Sequence, residues 1–439
     1  MNRTAQVQAL TAETVEVEAV FPVTLGEFVS SADGVWYGQV RSHRGTAVTL
    51  LSLDPVERVH IGDELNFTGV TLDERLENVA AGTVVDSLGR FMLNVGDVEG
   101  ARAPLPEFRQ KTGSFWGLKN LGSFMTLHEG EAAALLGAPP GGFSELFRQI
   151  VLSQRADWLY IFCQASAIEL YRYCRSAVAS GCAPHTIILW SPPWERPALK
   201  NLAAKSLTRL LALRHESGRG LVLIDDLHSW LESVREFGES SGELLLPDGY
   251  PYTARRDFAE LLDLKSPPDK DGRSTSLIAG WRYEEGYSPM VEHPYLGRLP
   301  RFMKTGIFME EQSEYLVPSD ESWGEPAPAG RCWQMLKRVA AASSEEAFPA
   351  LNLLKKLFGS LFVEYSPLSL VPAEDESVQF TSDDEKRLAA LAANPGRDLF
   401  EKVQKLKSEL HLRFRDPSSV RRQLFLTWLR GMTGEEEEP

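Results

Sequence analysis

Between residues 14 and 95, short runs of β-branched and aromatic residues alternate with Gly, Asp and Ser turns, as in Val15-Glu16-Val17-Glu18-Ala19-Val20-Phe21 and Gly34-Val35-Trp36-Tyr37-Gly38-Gln39-Val40. Period-two alternation at this close spacing, with no helical stretch read between the runs, predicts a small β-barrel. A Gly/Pro-bearing connector covers 96–117, and after it the texture changes. Continuous apolar runs, Trp158 to Cys163, Thr186 to Trp190 and Leu221 to Ile224, now alternate with segments of helical period. Strands that are apolar on both faces and separated by helices predict a parallel sheet covered on both sides. This block runs to about residue 342. Beyond it, 347–365, 382–393, 398–414 and 418–431 read as amphipathic helices. The expected architecture is an N-terminal β-barrel domain over 1–95, an α/β core over 96–342 and a C-terminal helical domain over 343–439 with an acidic tail.

Composition narrows the partners more than the fold. The 439 residues are too many for one ordinary core, and 43% hydrophobic with 24% charged residues is an ordinary globular balance. A formal net charge of −15, from 46 basic and 61 acidic residues, argues against nucleic acid or an anionic membrane as a general partner. Part of that excess is local, in Glu374-Asp375-Glu376 and Glu435 to Glu438, which read as solvated loop and tail. No apolar run is long enough to span a bilayer, and Met1-Asn2-Arg3-Thr4 lacks the layout of a secretory signal, so a cytoplasmic location is expected. Cys163, Cys174, Cys182 and Cys332 show no C-x-x-C pairing and read as free thiols rather than zinc ligands or disulfides.

The chemistry is concentrated in one loop. Gly137-Ala138-Pro139-Pro140-Gly141-Gly142-Phe143-Ser144 keeps the spacing G-x-x-x-x-G-x-S of a phosphate-binding loop, following the apolar run 132–136 and preceding a helical segment over 144–154. In a working loop, backbone N–H groups close around the phosphates, a lysine reaches the outer ones, and the hydroxyl holds magnesium. Phe143 stands where the lysine is needed, so the charge-assisted donor is gone. Pro139 and Pro140 each remove a backbone N–H as well. A ring at 143 is better suited to packing on a core and filling the nucleotide pocket than to binding ATP. Leu221-Val222-Leu223-Ile224-Asp225-Asp226 supplies the other required part, an acidic residue ending an apolar strand where it can organise magnesium with Ser144. The same residues also read as a helix cap, Asp226 leading into Leu227.

The order of these segments resembles the alpha subunit of F-type ATP synthases. The likeness is carried by 186–193, the strand Gly220 to Asp226 with Leu227, and, upstream, Gly62-Asp63, Asp86-Ser87-Leu88-Gly89-Arg90, Gly117-Leu118-Lys119 and the stretch 130–137. Downstream it continues in Ser274 to Ala279 and Thr305 to Glu310, so that it covers most of 14–342 in order. The resemblance implies a P-loop (RecA-like) core in a ring of alternating subunits, with ATP or ADP and Mg as cofactors. Its implied partners are a catalytic beta-like subunit, a central gamma-like shaft contacted by the helical end, and, indirectly, a membrane ion-translocating sector.

Catalytic subunits of that family carry a carboxylate after the first core strand, where this chain has Gln164. An amide cannot take a proton at neutral pH, and glutamine is what non-catalytic alpha subunits have there. Leu336-Lys337-Arg338-Val339 falls where the family carries Ser-Arg-Val, whose arginine reaches phosphate in the neighbour's site. Arg338 is thus the candidate finger, although Lys337-Arg338 also reads as a solvated surface pair and the residues around it, Trp333, Gln334 and Met335, depart from the family. The function this resemblance implies is that of a non-catalytic alpha-like subunit supporting proton-coupled ATP synthesis or hydrolysis. Gly137, Gly142, Phe143, Ser144, Gln164 and Asp225 would form a degenerate nucleotide site. A pseudo-ATPase scaffold using the fold only for protein contacts is the alternative, and a type III export or flagellar ATPase relative a weaker one, because those need the lysine and the carboxylate.

Overall fold

A computed structural model describes residues 3–98, 125–137, 143–153, 156–213, 218–282, 293–312, 315–318 and 322–325. The connector beyond residue 98, the loop residues Pro139, Pro140 and Gly142, Arg338, Cys332, the acidic segments and the C-terminal helices lie outside the described residues.

Strands β1 (Thr4–Leu10), β2 (Thr14–Glu18), β3 (Phe28–Ser31), β4 (Tyr37–Arg44), β5 (Ala47–Ser52) and β6 (Glu64–Phe67) close into a barrel in the order β1-β2-β5-β4-β3-β6. The alternation seen in the sequence sends Val15 and Val17 inward and Glu16 and Glu18 outward. The interior is filled by Val7, Val29, Val48, Leu50, Leu65 and the fully buried Trp36. The Trp36 indole N–H donates to Ser52 Oγ at 2.9 Å, so the one polar atom of that ring is satisfied inside the barrel.

The barrel ends earlier than the sequence pattern suggests. A helix, α1 (Leu72–Glu77), interrupts the strands, opened by a capping box in which Thr71 and Glu74 satisfy each other's backbone N–H groups. Strands β7 (Thr83–Asp86) and β8 (Phe91–Asn94) then leave the barrel altogether, β7 pairing in parallel with a strand of the α/β part. Short β-branched runs look alike in either setting, and only the partner strand decides which they join.

The remaining elements follow in sequence: β9 (Ala132–Gly137), α2 (Ser144–Ser153), β10 (Trp158–Cys163), α3 (Ala167–Ala179), β11 (Thr186–Trp190), α4 (Pro197–Leu213), β12 (Arg219–Ile224), α5 (Leu227–Ser240), α6 (Tyr252–Leu262), β13 (Ser274–Arg282), α7 (Leu299–Phe302), β14 (Thr305–Gln312) and β15 (Tyr315–Pro318). Contacts divide the chain into two compact units. The first holds the barrel and the strands in the order β13-β12-β10-β11-β7-β8, all parallel except the β7–β8 hairpin. Helices carry the crossovers, as the alternation of apolar runs and helical segments predicts. The barrel is tied to this sheet by Arg196, which donates to the carbonyl of Asp54 and pairs with Glu13 at 3.3 Å.

The second unit contains β9 from Ala133 on, α2, β14 and β15. Here β14 runs parallel to β9, Thr305 opposite Ala133 and Met309 opposite Gly137, and turns back as β15. Every residue of β9 is buried, which is why the alanine-rich run reads as apolar throughout rather than alternating.

Candidate functional site

The first unit changes direction at β10. From there the chain crosses to β11 on one side, then returns to β12 on the other and continues outward to β13. In open α/β sheets such a reversal opens a crevice at the carboxyl ends of the two central strands. Gln164 follows the last residue of β10, and Asp225 and Asp226 follow the last residue of β12.

The structure brings Gln164 and Asp225 together. The backbone N–H of Asp225 donates to the carbonyl of Phe162 at 3.2 Å, continuing the ladder past the strand ends. In return the Gln164 N–H donates to both Asp225 oxygens, at 2.8 and 3.0 Å. Asp225 is only 4% exposed, and burial pushes its carboxyl up to about 7 against the opposing pull of the Gln164 N–H. The Gln164 side chain, 5% exposed, donates its amide to the carbonyl of Asp226. Its Oε1 is buried with no hydrogen-bond partner among the described residues. A carboxylate in the same place would put a third acidic group beside Asp225 and Asp226, which the amide avoids.

Asp226 is a helix cap, as the alternative reading of the Asp-Asp pair expects. Its carboxylate accepts the N–H of Ser229 at 3.0 Å and opens α5, with Arg282 of β13 3.7 Å away. Burial raises its pKa too, opposed by the Ser229 N–H and by Arg282. Below it, Cys163 is fully buried, its thiol held well above the usual range by burial and by the Asp225 charge.

The phosphate-loop residues belong to the second unit. Strand β9 ends at Gly137 and helix α2 opens at Ser144, the strand-then-helix frame that such a loop requires. Phe143 is 1% exposed and packs edge-on against Phe147, ring centroids 6.4 Å apart. Its carbonyl accepts the Phe147 N–H at 2.9 Å, so its backbone is held by the first helical turn while the ring is held by packing. Phe143 is therefore a core side chain at the start of α2. Ser144 is buried at the helix start, and Gly142 and Arg338 lie outside the described residues.

One cluster escaped the sequence reading. His228 and Glu232 on α5 meet His293, with the Tyr250 hydroxyl donating to Glu232. The spacing of four between His228 and Glu232 on an amphipathic helix was a legible signal. Nothing local marks His293 as its third member.

No family model matches the chain. It is 23% identical over 410 residues to ATP synthase subunit alpha 2 of Polaromonas naphthalenivorans, covering 87% of this chain and 76% of that protein. To ATP synthase subunit alpha of Hydrogenovibrio crunogenus it is 22% identical over 392 residues, 84% of this chain and 72% of the other. A shorter match, 24% over 246 residues, joins 52% of the chain to 48% of ATP synthase subunit alpha 2 of Cereibacter sphaeroides. With the closed barrel, the parallel sheet and matches spanning most of its length, the chain is a divergent, alpha-like relative of the ATP synthase alpha subunits.

Proposed function

We propose that this chain is a non-catalytic alpha-like subunit of a rotary ATP synthase or ATPase ring. It stands beside catalytic beta-like subunits and a central gamma-like shaft and supports proton-coupled ATP synthesis or hydrolysis without turning over ATP itself. The observation that carries the reading is the buried Phe143 ring at the place of the phosphate-binding lysine. Bound Mg–ATP would bring phosphate charge only partly offset by its cation to a loop with no lysine, and two prolines in the loop sequence cannot donate. Asp225 is buried and both of its oxygens already accept the Gln164 N–H, which competes with a hard cation for the carboxylate. These residues do not fit an ordinary Mg–nucleotide site, and no catalytic step is assigned to one.

Gln164 supports the same reading, since its amide cannot act as a base. Its buried Oε1, without a partner among the described residues, can accept a hydrogen bond but cannot hold a proton. In this proposal Arg338 completes a partner's site, where a planar guanidinium stabilises spread phosphate charge. In this proposal the N-terminal domain runs to 95, with its closed barrel ending at β6, the core runs to 342, and a helical end meets the shaft. The chain reaches the membrane peripherally, on its cytoplasmic side, through the complex; no described helix is long and apolar enough to cross a bilayer.

Co-expression with a beta-like and a shaft subunit tests this. An alternating ring is expected, with ATPase activity that falls at least tenfold on Arg338→Ala, while the isolated chain hydrolyses no ATP and shows no micromolar Mg–ATP binding. Failure to assemble, or turnover by the chain alone, would refute it. A ring indifferent to Arg338→Ala would mark the chain as a scaffold instead.

A further inference from the structure

The geometry points to a divalent transition-metal site formed by His228, Glu232 and His293, independent of the nucleotide fold's chemistry. His228 and Glu232 lie four residues apart on the first turns of α5 and so share one face of the helix. His293 follows β13 in the chain and comes to the same point. Glu232 Oε1 lies 3.9 Å from the Nε2 of His228 and 3.9 Å from the Nε2 of His293, and the three donor atoms all fall within 4.8 Å of one another. Four-coordinate zinc with bonds of about 2.0–2.1 Å holds its donors roughly 3.3 Å apart, so small side-chain rotations close the site. Two imidazoles and one carboxylate are a donor set that zinc uses with a fourth position left open. Magnesium and calcium, which want oxygen alone, are disfavoured.

The surroundings are those of a supported site. Arg235 Nε holds the other oxygen of Glu232 at 2.9 Å, which leaves Oε1 to face the histidines. The Tyr250 hydroxyl donates to Oε1 and lies 2.8 Å from His293 Nε2, so it bridges these two donors and must turn aside or become a further neighbour when an ion enters. Trp281 walls one side, its ring 5.3 Å from that of His228 and 4.9 Å from that of His293. The three donor side chains remain between 20% and 32% exposed, so an ion can enter from solvent. At present the Tyr295 N–H donates to His293 Nδ1 at 3.3 Å, which puts the proton of the neutral ring on Nε2. Metal binding moves that proton to Nδ1, which gives up both this long hydrogen bond and the contact of Nε2–H with the Tyr250 hydroxyl, and leaves the Nε2 lone pair for the ion. The cluster also sits where α5 departs from β12, at the carboxyl edge of the sheet at which ligands of open α/β folds gather.

Titration of the untagged, metal-stripped full chain with Co²⁺ tests the assignment. One equivalent is expected, with the visible absorption of low-coordinate cobalt, displaced by Zn²⁺. His228→Gln and His293→Ala should each weaken uptake at least tenfold with circular dichroism unchanged. If a variant does not fold, X-ray absorption on the wild-type zinc complex decides, and two imidazole nitrogens are expected around the metal. Absence of stoichiometric uptake, uptake that survives both histidine changes, or a shell of oxygens alone would overturn the site. The three side chains would then serve only as a hydrogen-bonded tie between α5 and the chain after β13.

Discussion

The backbone N–H of Gln164 donates to both carboxylate oxygens of Asp225, 61 residues further along the chain, and so clamps the carboxyl ends of two neighbouring parallel strands. Asp225→Ala strands that buried N–H and should cost about 2–3 kcal/mol, whereas Asp225→Asn keeps an acceptor and should cost about 1 kcal/mol. Urea unfolding of the two variants measures the difference. Equal losses would show that the clamp contributes nothing.

Phe143 fills core space in a loop whose pattern calls for a cation. Phe143→Ala should therefore destabilise the chain by about 3 kcal/mol through lost burial and a residual cavity. Thermal melts check this. A change below about 0.5 kcal/mol, typical of a surface site, would place the ring outside the core and weaken the case against nucleotide binding.

Gly130 has a φ of +78°, and a Cβ there would lie 2.5 Å from Pro267 Cα and 2.6 Å from the Ser266 carbonyl oxygen. Gly34, at φ +71°, has open space around it. Gly34→Ala should lose about 1 kcal/mol, from left-handed backbone strain alone, and Gly130→Ala at least about 2 kcal/mol, because backbone must also move. Denaturant midpoints of the pair would separate strain from collision.

Glu195 gives the fold a pH dependence. Burial raises its pKa, against the Ser191 and Ser87 hydroxyls that donate to it, with the Asp86 charge adding to the rise. Above the unfolded value of about 4.3 the unfolded chain releases this proton first. The native state then binds more protons, and stability falls as pH climbs until the native carboxyl has titrated too. Glu195→Gln should flatten that part of the stability–pH curve, which melts between pH 4 and 8 would show. An unchanged slope would mean that other groups set it.

How much of the site could be read in advance depended on how far apart its parts lie. Asp225 was marked by position, one residue beyond a continuous apolar run, and Gln164 by the place it holds in the resembled family. Asp226 was legible as a cap because capping is settled within three residues. Gly142 was read from the spacing of the loop and Arg338 from resemblance, and both fall outside the described residues. His293 was invisible, since a lone histidine carries no sign of the helix that will meet it.

The sequence by itself determined the element types: alternating runs for the barrel, unbroken apolar runs with helices between them for the parallel sheet, and a strand followed by a helix on either side of the loop that ends in Phe143. These follow from periodicity and residue chemistry, which act over a few neighbours. Only the tertiary structure decided that Thr83–Asp86 leaves the barrel to pair with Thr186–Trp190, that Phe143 is a core ring, and that Glu232 collects two histidines. Strand partners and side-chain clusters are chosen by long-range packing and register, and a short β-branched strand or a single histidine is locally compatible with several outcomes.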